Sequence, residues 1–140
     1  MNDRPFLDTN ILVYAFDKAT PKKQRRAWDI LEGLVFSEPP TISTQVIGEF
    51  YVTVVRKLAV PLSEEKALEA CARLVLFPVV QIDTEMVLAA IRFSQRHQLS
   101  YWDSLIVEAA KNGGCSVLVT EDLQNESEFD GLRVFNPFAS

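Results

Sequence analysis

Apolar positions along the chain recur with two alternating periods. Short strand-like runs, "PFLD", "PTIST", "PVVQI", "CSVLVT" and "GLRVFNPF", are separated by longer stretches whose apolar residues return every three or four positions. "TPKKQRRAWDILEGLVF" carries Thr20 as N-cap, Pro21 at the first helical position, and Ala27, Ile30, Leu31 and Leu34 at apolar positions. "TQVIGEFYVTVVRKL" sets Val46, Ile47, Phe50, Val54 and Leu58 at helical spacing despite its β-branched residues. "SEEKALEACARLVLF" opens on Ser63 with acids in its first turn, as the helix dipole favours. "DTEMVLAAIRFSQRHQ" opens on Asp83, and "SYWDSLIVEAAKNGG" runs from Ser100 to a stop at Gly113 or Gly114. "NILVYAF" is long enough only for a brief helix or turn.

Short apolar strands separated by helices predict a parallel sheet covered on both faces, an α/β sandwich. No repeat, low-complexity tract or linker divides the 140 residues, which read as a single domain, 1–140, and 48% apolar composition gives it a core. No stretch approaches the roughly 18 uninterrupted apolar residues of a membrane span. "MNDRPFLD" lacks the layout of a signal peptide. Cys71 and Cys115 have no metal-ligand neighbours and read as reduced thiols, so the cytoplasm is the expected location.

A net charge of −5 argues against a general nucleic-acid coat. Its distribution is uneven: "KATPKKQRR" gathers Lys18, Lys22, Lys23, Arg25 and Arg26 with no acid among them. The stretch is either the wet face of a helix or, with Arg56, Lys57, Arg92 and Arg96, a rim that tracks phosphates.

Four acids interrupt otherwise apolar surroundings. Asp8 and Asp122 fall at the carboxyl ends of strand-like runs, where open parallel sheets bind ligands. Glu49 lies in "VIGEFYV" and Asp103 in "SYWDSLIV". Each has a structural explanation taken alone. Asp8 or Thr9 can cap the next helix, Ser100 and Asp103 have capping-box spacing, Asp122 can cap a turn, and Glu49 can face solvent. Together they repel one another, and such a cluster persists mainly where a cation neutralises it. Oxygen ligands suit Mg²⁺ or Mn²⁺ rather than Zn²⁺. The single histidine, His97, leaves little scope for a nucleophilic triad. One or two such ions can activate water against a phosphodiester.

The order "FLDTNILVYAFD", "STQVIGEFYVTVVRK", "YWDSLIVEAAKNGGCSVLVTEDL" and "GLRVFNPF" resembles the PIN-domain nucleases, and most nearly the VapC-type toxins of type II toxin–antitoxin pairs. The resemblance implies a three-layer α/β/α fold around a parallel sheet of about five strands. It implies a Mg²⁺- or Mn²⁺-dependent endoribonuclease in which Asp8, Glu49, Asp103 and Asp122 are the catalytic, metal-binding acids. Asp8 and Asp103 would hold the main ion, with Glu49 and Asp122 completing the site directly or through water. Thr9, Asn10 and Thr120 fall where the family places orienting hydroxyl and amide groups. Activated water would attack an RNA phosphorus, leaving a 5′-phosphate and a 3′-hydroxyl. Glu121 adjoins Asp122, so either can be the fourth acid, and Ser104 stands where a small apolar residue is more usual. The resemblance also implies an RNA substrate, a small antitoxin partner and a homodimer, part of whose surface is expected in "EFYVTVVRKLAV". The same fold serves RNA-processing or RNA-binding proteins with no toxin role. A receiver-like Mg²⁺ site fits poorly: "PTIST" and "PVVQI" lack an acceptor Asp and "VFNPF" lacks a Lys.

Overall fold

Six helices and six strands make up a computed structural model that describes residues 3–139. In chain order they are β1 (Pro5–Leu7), α1 (Thr9–Ala15), α2 (Pro21–Leu31), β2 (Ile42–Ser43), α3 (Thr44–Arg56) and α4 (Glu64–Leu74). β3 (Val79–Val80), α5 (Thr84–His97), α6 (Tyr101–Asn112), β4 (Val117–Val119), β5 (Glu128–Phe129) and β6 (Leu132–Phe135) follow. The N-terminal signals read from the sequence act as such. Ser63, Asp83 and Ser100 each accept a backbone N–H from the first turn of their helix, and Ser43, which the sequence pattern did not single out, does the same for α3. Thr20 precedes Pro21 at N1 but makes no side-chain cap bond.

β1, β4 and β6 pair in parallel, as do β2 and β3; the connections from β1 to β4 and from β2 to β3 contain helices, whereas β4 reaches β6 through the loop that carries β5. The main sheet has four strands rather than about five, in the order β1-β4-β6-β5. The other parallel pair, β2-β3, is a separate small sheet, joined to β1 by the single bridge between Phe6 and Thr41. β2 and β3 are each two residues long, too short to extend the ladder further. β5 was not legible as a strand. It lies antiparallel to β6 across a turn at Asp130 and Gly131, both at positive φ.

The layers form the α/β sandwich the apolar pattern predicts. β1 and β4 are buried at every position, as strands covered on both faces must be. α6 is buried from Ser104 to Ala110, which is why its apolar residues show no clean stripe. Phe6, Leu7, Ile11, Leu12, Phe50 and Leu118 are fully enclosed and fix the carboxyl ends of β1 and β4. Among the described residues no helix is long and apolar enough to cross a membrane. Cys71 and Cys115 are free thiols, and burial pushes the pKa of both upward.

Candidate active site

The strand β1 ends on Asp8, whose extended backbone makes it the N-cap of α1. Its carboxylate accepts from the Thr9 N–H at 2.7 Å, so the cap is Asp8 and not the Thr9 hydroxyl. That hydroxyl donates instead to Glu49 Oε1 on α3, at 2.8 Å. The second oxygen of Asp8 accepts from Thr120 Oγ1 at 2.8 Å, just past the neighbouring strand β4. Parallel pairing of β1 with β4 is what brings residues 8 and 120 together, since Leu7 lies opposite Val119.

Asp8 is 5% exposed and makes no ion pair among the described residues. Burial is the main cause that lifts its pKa from 3.8 to about 7. The Thr120 and Thr9 bonds oppose the rise, while the nearby charges of Asp122 and Asp103 add to it. Asp122, beyond β4, lines the same hollow as Thr9, Asn10 and Glu49, and the Trp102 carbonyl next to Asp103, in the first turn of α6, shares the Gln45 amide with Glu49. The pKa of Asp122 also rises, first through desolvation and then through Asp103 and Glu121, while an Asn10 hydrogen bond opposes it.

Thr120 and Asn10 organise the loop after β4. Thr120 Oγ1 accepts from the Asp122 N–H at 3.0 Å and from Asn10 Nδ2 at 3.5 Å, and Asn10 Oδ1 accepts from the Glu121 N–H at 3.4 Å. Ser100 caps α6 by accepting from the Asp103 N–H at 3.0 Å. The return half of a capping box is missing: the Asp103 carboxylate makes no hydrogen bond among the described residues. Ser104 is fully buried, and its hydroxyl donates to the Ser100 carbonyl at 2.8 Å, which accommodates a polar residue at an apolar position.

Tyr14 and Gln45 were not singled out in the sequence, and Lys23 was read there only as part of the basic stretch. Tyr14 donates to Glu121, and Lys23 binds both that carboxylate and the Tyr14 hydroxyl, at 3.1 Å from the latter. Glu121 is thereby turned away from a hollow lined by Thr9, Asn10, Glu49 and Asp122. Gln45 donates to Glu49 Oε2 and to the Trp102 carbonyl, both at 3.3 Å, joining α3 to α6. A polar residue one turn before Glu49 was the available signal for Gln45. Nothing local could pair Lys23 with Glu121. The basic stretch is also less free than its sequence suggests, because Arg26 donates to the Pro137 carbonyl and Arg25 faces Asp29 at 3.8 Å.

The donors are all oxygens, and a buried carboxylate without a cationic partner is the group a divalent ion would relieve. In donor type and charge the residues fit Mg²⁺ or Mn²⁺. No three acidic, histidine or cysteine side chains among the described residues converge tightly enough to form a coordination shell as they stand.

Comparison with known proteins bears on what such a site does. The PIN domain family model matches residues 6–127. No curated protein sequence matches the chain. Among solved structures, a toxin–antitoxin complex from Klebsiella pneumoniae superposes with a TM-score of 0.68 at 22% identity, covering 96% of this chain and 98% of that one. VapC20 of Mycobacterium tuberculosis, a toxin that cleaves the sarcin–ricin loop, superposes with a TM-score of 0.60 at 18% identity, covering 81% and 86%. VapBC2 of Rickettsia felis, bound to a DNA fragment from its promoter, gives 0.62 at 18% identity over 93% and 96%. At these identities the likeness is one of fold.

Proposed function

The chain belongs to the PIN-domain family, and from that premise we propose that it is a divalent-metal-dependent endoribonuclease, the toxin of a type II toxin–antitoxin pair. The observation that carries the reading is Asp8, a buried carboxylate with no cationic partner among the described residues, near enough to Asp122 and Asp103 for their charges to raise its pKa. The toxin assignment is supported by the neighbouring folds, which include a toxin–antitoxin complex and an RNA-cleaving toxin.

Asp8, Asp103, Glu49 and Asp122 are the residues that would hold Mg²⁺ or Mn²⁺. Once bound, the ion would neutralise the clustered charge and polarise a phosphodiester and the attacking water. Thr120 and the Thr9 N–H fix both oxygens of Asp8, so its carboxylate is preset before any ligand arrives. Thr9 and Gln45 do the same for the two oxygens of Glu49. Asp103, free of its helix cap, has a carboxylate available as ligand or as proton acceptor from water. Because Glu121 is engaged by Tyr14 and Lys23, Asp122 is the better fourth acid.

The partners of this reading are an RNA strand, an antitoxin that covers the acidic hollow, and a second copy of the chain. Val52 and Val60 are 45% and 57% exposed on and just after α3, which supports that surface as part of a homodimer. The cytoplasm, where thiols stay reduced, is the compartment that fits two free cysteines. The deciding experiment incubates purified protein with structured RNA in Mn²⁺ or in EDTA. Cleavage in Mn²⁺ that EDTA abolishes, and that Asp8→Asn loses while remaining folded, is the expected result. Wild-type cleavage by a folded Asp8→Asn variant would end the proposal.

A further inference from the structure

Two shallow hollows meet on α3. One is bounded by Tyr14, Thr53 and Lys57, the other by Ile82, Trp102 and Leu105, and both are lined by Gly48 and Glu49. Gly48 lies in the interior of α3, where glycine costs helix stability relative to alanine. Packing does not explain it. A Cβ at this position meets no atom within 4 Å, and the backbone is not left-handed. What the missing side chain does is leave the surface of the helix open between the two hollows.

Trp102 stands at one end of that opening. It is 61% exposed, unusual for a side chain with this much apolar surface. Tyr101 packs edge-on against it with centroids 4.9 Å apart. The Trp102 carbonyl accepts from Gln45 Nε2, and the same amide donates to Glu49, so the backbone that carries the indole is tied to the acidic hollow it adjoins. Lys57, exposed at the C-cap of α3, supplies a cation at the other end.

We infer that Trp102 is a stacking platform for one unpaired base of an RNA strand that crosses α3 over Gly48, its backbone held by Lys57. The inference rests on reading the carboxylates as a phosphodiester-cleaving centre and adds how the strand is presented to them. A duplex keeps its base faces inside the stack, so an exposed indole beside the acids selects single-stranded segments, loops and ends. Stacking tolerates any base, because every base offers a π face. A phosphate passing the carboxylates is repelled by them, and the cation at Lys57 together with the apolar contact at Trp102 offsets that repulsion.

The test titrates tryptophan emission with an unstructured oligoadenylate in Mg²⁺, using an Asp8→Asn background to prevent cleavage. Saturable quenching is expected, and a duplex of equal length should give none. Adding Trp102→Phe should keep affinity within about twofold while removing the quench. Trp102→Ala should weaken binding on the order of tenfold, within the range of base–aromatic stacking. Gly48→Leu should weaken binding similarly without lowering the melting temperature, since leucine is the better helix former. Unchanged binding by Trp102→Ala would overturn the inference, as would a quench that survives Trp102→Phe or a Trp102 buried between two copies and unquenched. The two readings fail separately. If the chain is no nuclease, wild-type protein leaves RNA intact in Mn²⁺ while the quench still depends on Trp102. If Trp102 is no platform, wild-type cleavage persists and Trp102→Ala does not alter it.

Discussion

Lys23 and Glu121, 98 positions apart, form a 2.5 Å ion pair that Tyr14 completes by donating to the same carboxylate. The pair ties α2 to the loop after β4, and that loop carries Asp122. Glu121→Gln keeps the shape but removes the charge that holds Lys23. With side chains 38% and 27% exposed, the pair should contribute only about 1 kcal/mol or less to stability. Its larger effect should be on turnover: a several-fold drop in kcat with KM little changed, as Asp122 loses its fixed place. A loss of stability with kcat untouched would show that the pair is only a structural tie.

Thr120 should matter more than its size suggests. Its buried hydroxyl donates to Asp8 and accepts from Asp122 and Asn10, so three groups depend on one oxygen. Thr120→Val keeps the volume and leaves those groups short of a partner, at a cost of about 1–3 kcal/mol. Removing a donor that lowers the Asp8 pKa should raise that pKa further and cut activity at least tenfold at neutral pH. Thr120→Ser should restore both. Denaturant melts and initial rates on the three proteins check this, and a Ser variant as impaired as Val would mean the methyl group is what counts.

Asp8 makes the metal-free protein sensitive to pH in a defined direction. Its folded pKa, about 7, lies above the ordinary 3.8, so between these values the folded state holds a proton that the unfolded chain has released. Stability therefore falls as pH rises from about 4 to 7, by up to about 4 kcal/mol, and the penalty stays in full above pH 7. Asp8→Asn removes it. The variant should melt higher than wild type at pH 8 in EDTA, and no higher at pH 4, where wild-type Asp8 is protonated in the native state. Mg²⁺ or Mn²⁺ should raise the wild-type melting temperature more at pH 8 than at pH 6 and leave Asp8→Asn nearly unmoved. An Asn variant less stable than wild type at pH 8 would contradict this account.

The sequence carried most of the architecture because its signals are local. Ser63, Asp83 and Ser100 mark helix starts through cap bonds within one turn, Pro21 marks another through its fixed φ, and a helix begins at each. β5 escaped notice because two residues of antiparallel strand are held by a turn, not by an apolar period. The acids at residues 8, 49, 103 and 122 were visible as polar breaks in apolar runs. The contacts that orient them were not, because Asp8–Thr120 and Lys23–Glu121 join distant segments and no spacing rule encodes them. Gly48 and Trp102 were hidden for another reason: an ordinary glycine or tryptophan becomes notable only when its exposure is known.

The basic stretch "KATPKKQRR" divides once its contacts are known, and the division is measurable. Lys22 is exposed and makes no ion pair among the described residues, while the Arg25 side chain is 82% exposed and only loosely opposed by Asp29. Lys23 is committed to Glu121 and Tyr14. If Lys22 and Arg25 track phosphates, neutralising either should weaken RNA binding uniformly across sequences and reduce the slope of log K against log salt by about 1. Lys23→Met should leave the slope nearly unchanged and lower kcat instead, as Glu121→Gln does, because its charge acts on the loop of Asp122. Salt titrations of binding to one oligonucleotide, paired with single-turnover rates, separate the two effects. A Lys23 variant that flattens the slope as much as Lys22→Ala would place its ammonium on the RNA and not on Glu121.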